Sequence, residues 1–151
     1  MRVRFWGTRG SIPVALTSAD IRRKVETALS LAIAKGVNSA DKLRSFIDND
    51  LDFSISQTYG GQSPCVEIET GRAEYLVCDM GSGARGFGGR IMSAQESGPI
   101  AVNVVMSHVH WDHIMGFPFF APAYVPGARI RIFGCHNAIE KAFRLQQSAP
   151  C

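Results

Sequence analysis

Three of the chain's four histidines fall within six positions, as His108, His110 and His113, with Asp112 beside the last of them. Together they spell H-x-H-x-D-H. Imidazole nitrogens combined with a carboxylate are a donor set that suits zinc and that manganese and iron also accept. The competing reading is a ring-rich turn packed into the core. That arrangement must bury several polar groups together, each needing a hydrogen-bond partner, beside a charged Asp112. A lone histidine would favour the core; this spacing favours metal. A strand projects residues i and i+2 to one side, so His108 and His110 converge on one ion if the strand runs through them. Asp112 and His113 fall where the chain turns, facing a second point.

The cluster must be held by what precedes it. "AVNVVMS", residues 101–107, is a near-continuous apolar run of the kind found in an inner strand. "RVRFW" at 2–6 alternates, with Val3 and Phe5 on one face and Arg2 and Arg4 on the other, as in a half-buried strand, and "GTRGSIP" then turns. "CVEIET" alternates Val66 and Ile68 against Glu67 and Glu69, and "GRA" leads into "EYLVCD", the pattern of a hairpin. "RIRIF" at 129–133 alternates once more. The scaffold is expected to be mostly sheet.

Two helical segments interrupt it. Ile21, Val25, Ala28, Leu29, Ala32 and Ile33 recur at helical spacing, with Thr17 or Ser18 as N-cap and Gly36 as the stop. Leu43, Phe46, Ile47 and Leu51 share the inward face of a second helix. The pair reads as an insertion over residues 14–57, either a lid or plain cover for the core, and burial alone explains its periodicity. A last helix is expected over Asn137–Gln147, with Ala138, Ile139, Ala142 and Phe143 inward.

"GSGARG", Gly81–Gly86, matches the glycine fingerprint of a dinucleotide site after a strand. Its context argues against that role. Gly88 and Gly89 follow at once, each costing about 1 kcal/mol in a helix interior, and no acidic residue stands at the expected distance downstream. The better reading is a tight loop that lets backbone pass close to a site, with Asp79 at the strand end aimed into it.

Bulk properties narrow the function classes. At 151 residues and 46% hydrophobic the chain suits one globular domain. The net charge of +3 is spread thinly, so no stripe points to nucleic acid, and a phosphate-bearing substrate remains compatible. Cys65, Cys78, Cys135 and Cys151 form no C-x-x-C pair, which reads as a reducing compartment. No leader pattern and no membrane-length apolar run is found, so the expected location is cytoplasmic, without a membrane partner.

"SHVHWDH" behind "AVNVVM" resembles the signature of the metallo-beta-lactamase superfamily. "RFWGTRGSIP", "TYGGQSPCVEI", "LVCDMGSGARG" and "HWDHIMGFPFF" follow in the order seen in its phosphodiesterase-like branch. That branch includes ribonuclease Z-like enzymes, class II cyclic-nucleotide phosphodiesterases and the cyclic phosphodiesterase of phosphonate metabolism. The resemblance implies an α+β fold, a four-layer αββα sandwich, of which residues 1–151 form the N-terminal part. It implies that His108 and His110 bind one metal and Asp112 and His113 a second, with Asp79 supporting the ligand loop from behind. Two zinc ions, or manganese or iron in their place, would activate a water against a small phosphodiester, with Asp112 as the catalytic carboxylate.

Further ligands belong to the family's second half. His136 does not match them and reads as a surface histidine at a helix start, with Asn137 as a capping residue. The 151 residues alone are therefore expected to be inactive, to hold zinc weakly and to self-associate through an uncovered sheet face. Two rivals stay open: a metal-dependent hydrolase of lactones or thioesters, and a non-enzymatic half-domain that binds a partner chain.

Overall fold

The structure is a computed structural model and describes residues 1–94 and 98–148. Among the described residues it is α+β, with one five-stranded mixed sheet and six helices. The chain divides into two compact units, Ala15–Gly60 and the remainder. Cys151 lies outside the described residues.

The smaller unit is helical: α1 (Ser18–Ala34), α2 (Ala40–Asn49) and α3 (Phe53–Ser56). Thr17 caps α1 in a reciprocal box with Asp20, and Gly36, at φ +63°, takes the left-handed turn that ends it. Ser39 caps α2 through the amide of Lys42. The short α3 has too few residues to show periodicity in sequence. Lys24 Nζ ties it to α1 by donating to the carbonyls of Ser54 and Gln57. The expected inward stripe is not buried. Ala32 and Phe46 are the buried hydrophobics of this unit, whereas Ile21, Val25, Leu29, Leu43 and Ile47 are exposed and Ile33 is 79% exposed. So small a helical unit has no second layer to cover a stripe of that length.

The larger unit carries the sheet: β1 (Arg2–Gly7), β2 (Cys65–Glu69), β3 (Tyr75–Cys78), β4 (Ala101–Val105) and β5 (Arg129–Phe133), paired in that order. β1, β2 and β3 are antiparallel neighbours; β3, β4 and β5 are parallel. Between β3 and β4 runs α4 (Ala84–Ala94), and α5 (Trp111–Ile114), two 3-10 turns and α6 (Ile139–Gln146) complete the unit. The core lies where α4 meets the sheet: Phe87, Ile91 and Ala84 pack with Val77, Val102, Val104 and Phe120.

The glycine-rich stretch after Gly83 is helical, contrary to the expectation from Gly88 and Gly89. Packing overrides propensity here. A Cβ on Gly88 would lie 2.9 Å from the Phe120 ring, and one on Gly86 would lie 3.2 Å from Trp6, so the glycines let α4 approach both aromatics. Helix α6 begins at Ile139 rather than Asn137, because the preceding residues form a turn closed by the Ile139 amide on the His136 carbonyl.

The alternation in β1 and β2 is present, but its faces are reversed. Glu67 is 2% exposed beneath α4, where Arg90 Nη1 (2.6 Å) and Trp6 Nε1 (3.0 Å) donate to its carboxylate. Arg4 and Arg90 both donate to Glu69. The apolar residues point the other way. Register places Phe5, Val66, Cys78, Val105 and Phe133 opposite one another in a row across all five strands. Among the described residues no element of this unit covers that row, and Phe5 is 70% and Phe133 50% exposed. Among the described residues no helix is long and apolar enough to cross a membrane.

Two outcomes follow for stability and association. A Cβ on Gly116 would sit 1.8 Å from the Gly81 carbonyl, whereas Gly89 has nothing within 4 Å. Gly116→Ala should lower the unfolding free energy by an overpacking cost of about 1–3 kcal/mol, and Gly89→Ala should raise it by about 0.5–1 kcal/mol; the direction in which the calorimetric midpoint moves in each variant checks the signs. The exposed row should bind a hydrophobic dye and drive concentration-dependent association, both reduced by Phe5→Ser with Phe133→Ser. A dye-free monomer across a dilution series in sedimentation would contradict this.

Candidate metal centre

The histidines do not converge through a strand pleat. β4 ends at Val105, and although the Met106 amide still bonds to Phe133, His108 lies beyond the ladder. The chain then bends, and the single turn of α5 starts after His110. Loop and turn together bring the rings into one group: His108 is 4.5 Å from His110 and 4.0 Å from His113, centroid to centroid. His108, Asp112 and His113 are half-buried, and His110 is exposed.

Behind the rings stands Asp79, buried at the end of β3 in the left-handed conformation (φ +61°). Its amide bonds to Val105, which carries the β3–β4 pairing one residue beyond the strand. Its carboxylate accepts from the Ser107 amide (2.8 Å), from Ser107 Oγ (2.8 Å) and from His113 Nδ1 (2.9 Å). A carboxylate only accepts, so the His113 proton is assigned to Nδ1 and Nε2 is left as a free donor atom for a metal. Ser107 spends its proton on Asp79, so its oxygen accepts from His108 Nδ1 (3.0 Å), which leaves His108 Nε2 free as well. The sequence reading omitted Ser107. Its position directly before His108 was visible, but its contact with Asp79 depends on the parallel pairing of β3 and β4.

Asp112 Oδ2 lies 3.4 Å from His113 Nε2 and accepts from the Ser11 amide (2.9 Å). Two atoms each about 2.0–2.2 Å from a tetrahedral ion stand about 3.4 Å apart, so this pair fits one zinc-sized site. Among the described residues, no group of three or more His, Cys, Asp or Glu side chains already stands in metal-holding geometry.

The loop 79–81 is laced to the turn that carries Asp112 and His113. Met80 donates to the His113 carbonyl and accepts from the Gly116 amide, and a Cβ on Gly81 would lie 2.4 Å from the Asp112 carbonyl. This is the close approach expected of the glycine loop. The loop is not a phosphate cradle, because its amides are taken: Ser82 and Gly83 donate to Ser63, Ala84 to Gly81 and Arg85 to Ser82. Arg85 is exposed at a cavity of about 500 Å³ also lined by Trp6, Gln62, Ser82 and Phe119. His136 is exposed outside the cluster, its Nδ1 accepting from the Ala138 amide; the N-cap of α6 is Ala138 rather than Asn137. The Cys65 thiol is pushed far up by burial and then by the charge of Asp79, which makes it an inert core residue.

No family model, curated protein or solved structure matches the chain.

The assignment of the ring protons is measurable. Long-range proton–nitrogen NMR of metal-free protein at alkaline pH should find both His108 and His113 as the Nδ1–H tautomer. Ser107→Ala should release His108 to the mixture of tautomers seen in free imidazole while leaving His113 fixed by Asp79. A His113 held as Nε2–H would break the assignment.

Proposed function

We propose that this chain carries the histidine-rich part of a metallo-beta-lactamase-type site, and that the activity is metal-dependent hydrolysis of phosphodiesters. The observation that carries the reading is His113, backed by Asp79 at 2.9 Å and presenting Nε2 at 3.4 Å from Asp112 Oδ2. An imidazole fixed by a carboxylate behind it is the usual construction of a metal ligand. The uncovered apolar row of the sheet agrees with a sandwich that needs a further layer.

His108 and His110 would hold one ion, and Asp112 and His113 the other. When bound, the ions, zinc by donor type with manganese or iron as alternatives, supply Lewis acidity and water activation at phosphorus. The chain's own residues do the positioning. Asp79 keeps the proton on His113 Nδ1, Ser107 does the same for His108, and the Ser11 amide orients the Asp112 carboxylate. Arg85, exposed and without an acidic partner among the described residues, offers its guanidinium to an anionic substrate.

The 151 residues should hold zinc weakly, because two ligands per ion fall short of the three or four that a stable site uses. Titration with Co²⁺ followed by visible absorption should show weak binding, lost in His113→Ala and kept in His136→Ala. In a longer protein that supplies the remaining ligands, Asp112→Asn should lower kcat/KM on a chromogenic phosphodiester by about 100-fold or more, since loss of metal-assisted stabilisation costs several kcal/mol. His136→Ala should stay within about threefold of the parent. Greater damage from His136→Ala would overturn the ligand assignment. Full activity in both variants would favour a binding role for the sheet face, and turnover of lactones or thioesters in preference to diesters would move the substrate class.

A further inference from the structure

We propose that the substrate of the metal site is a phosphodiester with a flat aromatic arm, its ring against Trp6 and Phe119 and its negative charge toward Arg85. These three residues line one cavity of about 500 Å³, within the range of small-molecule sites.

Two features of the lining set the chemistry of the occupant. The first is bare ring surface. Trp6 Nε1 is spent on the buried Glu67 at 3.0 Å, so the indole brings no free donor to the cavity and offers only its ring. Glycine keeps that ring clear at Gly86, where the nearest atoms to an added Cβ would be Cε3 (3.2 Å) and Cζ3 (3.6 Å) of Trp6. Phe119 adds a second ring, 68% exposed. The second feature is that the polar side chains present donors. Ser82 Oγ accepts from the Ser63 amide (2.9 Å) and gives its own proton to Gln62 Oε1 (2.6 Å). That bond turns the Gln62 Nε2 hydrogens away from Ser82, and among the described residues they meet no acceptor. The exposed Arg85 guanidinium has no acidic partner there either. A cation would be repelled by this lining, and a neutral ring would leave its donors to water. A ring that carries an anion complements both features.

The cavity is continuous with the loops that hold the candidate ligands. The turn carrying Asp112 and His113 ends at Met115 in the cavity wall, and Gly81, packed on the Asp112 carbonyl, leads into Ser82 and Gly83 of the same wall. That the occupant is a substrate rests on the metal-dependent reading; that the cavity takes an aromatic anion does not.

Methyl phenyl phosphate and methyl cyclohexyl phosphate carry the same charge, and only the first has an aromatic ring. Proton–nitrogen NMR of the metal-free chain in a chelator should show both diesters shifting the Gln62 side-chain amide and Arg85 Nε, with the phenyl ester binding about fivefold more tightly. Phe119→Ser, at an exposed position, should cut that preference to below about twofold and leave the rest of the spectrum in place. Arg85→Gln should weaken both diesters about tenfold. The proposal is overturned if neither diester shifts these signals, if the phenyl preference is undiminished in Phe119→Ser, or if Arg85→Gln leaves both affinities unchanged. Cobalt titration of the parent chain reads the metal site separately, so a failure of the metal reading shows there and not in these shifts.

Discussion

A carboxylate held almost out of water needs donors, and the arrangement around Asp79 follows from that need. Removing a charged group from solvent costs several kcal/mol, and each hydrogen bond to it returns about 1.5–3 kcal/mol. Asp79 finds donors in the Ser107 amide, the Ser107 hydroxyl and His113 Nδ1. The first two are available because β3 and β4 run parallel in a register that brings Ser107 alongside Asp79. The third requires the chain to double back through α5. The carboxylate thus couples strand pairing, backbone conformation and imidazole orientation in one group of contacts.

The second constraint is steric. Gly81 and Gly116 bring two loops into backbone contact, where any side chain would collide with a carbonyl. The hydrogen bonds between Met80, His113 and Gly116 form only at that distance. His113 is therefore fixed at both ends, by its backbone carbonyl on Met80 and by its ring on Asp79. On the proposed reading, preorganisation of this kind would reduce the reorganisation needed for the ring nitrogen to meet an ion.

Much of the sheet was legible because strand signals are local. The runs that became β1 to β5 showed either period-two alternation or continuous apolar character, and Thr17 and Gly36 marked the ends of α1. Other features were not legible. Gly86, Gly88 and Gly89 argue against a helix until Trp6 and Phe120 are known to press on it. Ile21, Val25 and Leu29 show an amphipathic stripe, but periodicity does not say whether anything lies against it. The clustering of His108, His110 and His113 was visible in spacing, yet the pleat argument failed because the strand stops at Val105. The roles of Ser107 and Ser11 were hidden, since they arise from contacts across the fold.

The reversed faces of β1 and β2 require a physical account, since a sheet with one helical layer would ordinarily turn its apolar side toward that layer. Here Glu67 goes beneath α4 and is neutralised by Arg90 with help from Trp6, while Phe5 and Val66 face outward. Strand β4 divides in the same way: Val102 and Val104 enter the core, while the opposite face carries Ala101 and Val105 with Asn103 between them, bonded to Glu74 and Arg131. Leaving the Phe5 to Phe133 row in water forfeits about 25 cal/mol for each Å² of apolar surface that a covering layer would bury. The ion pairs under α4 free the apolar residues of β1 and β2 to join that row, so the network around Glu67 and the outward row are two sides of one choice. Helix α4 satisfies one face of the sheet, and the other keeps the Phe5 to Phe133 row exposed beside the polar group of Asn103, Glu74 and Arg131.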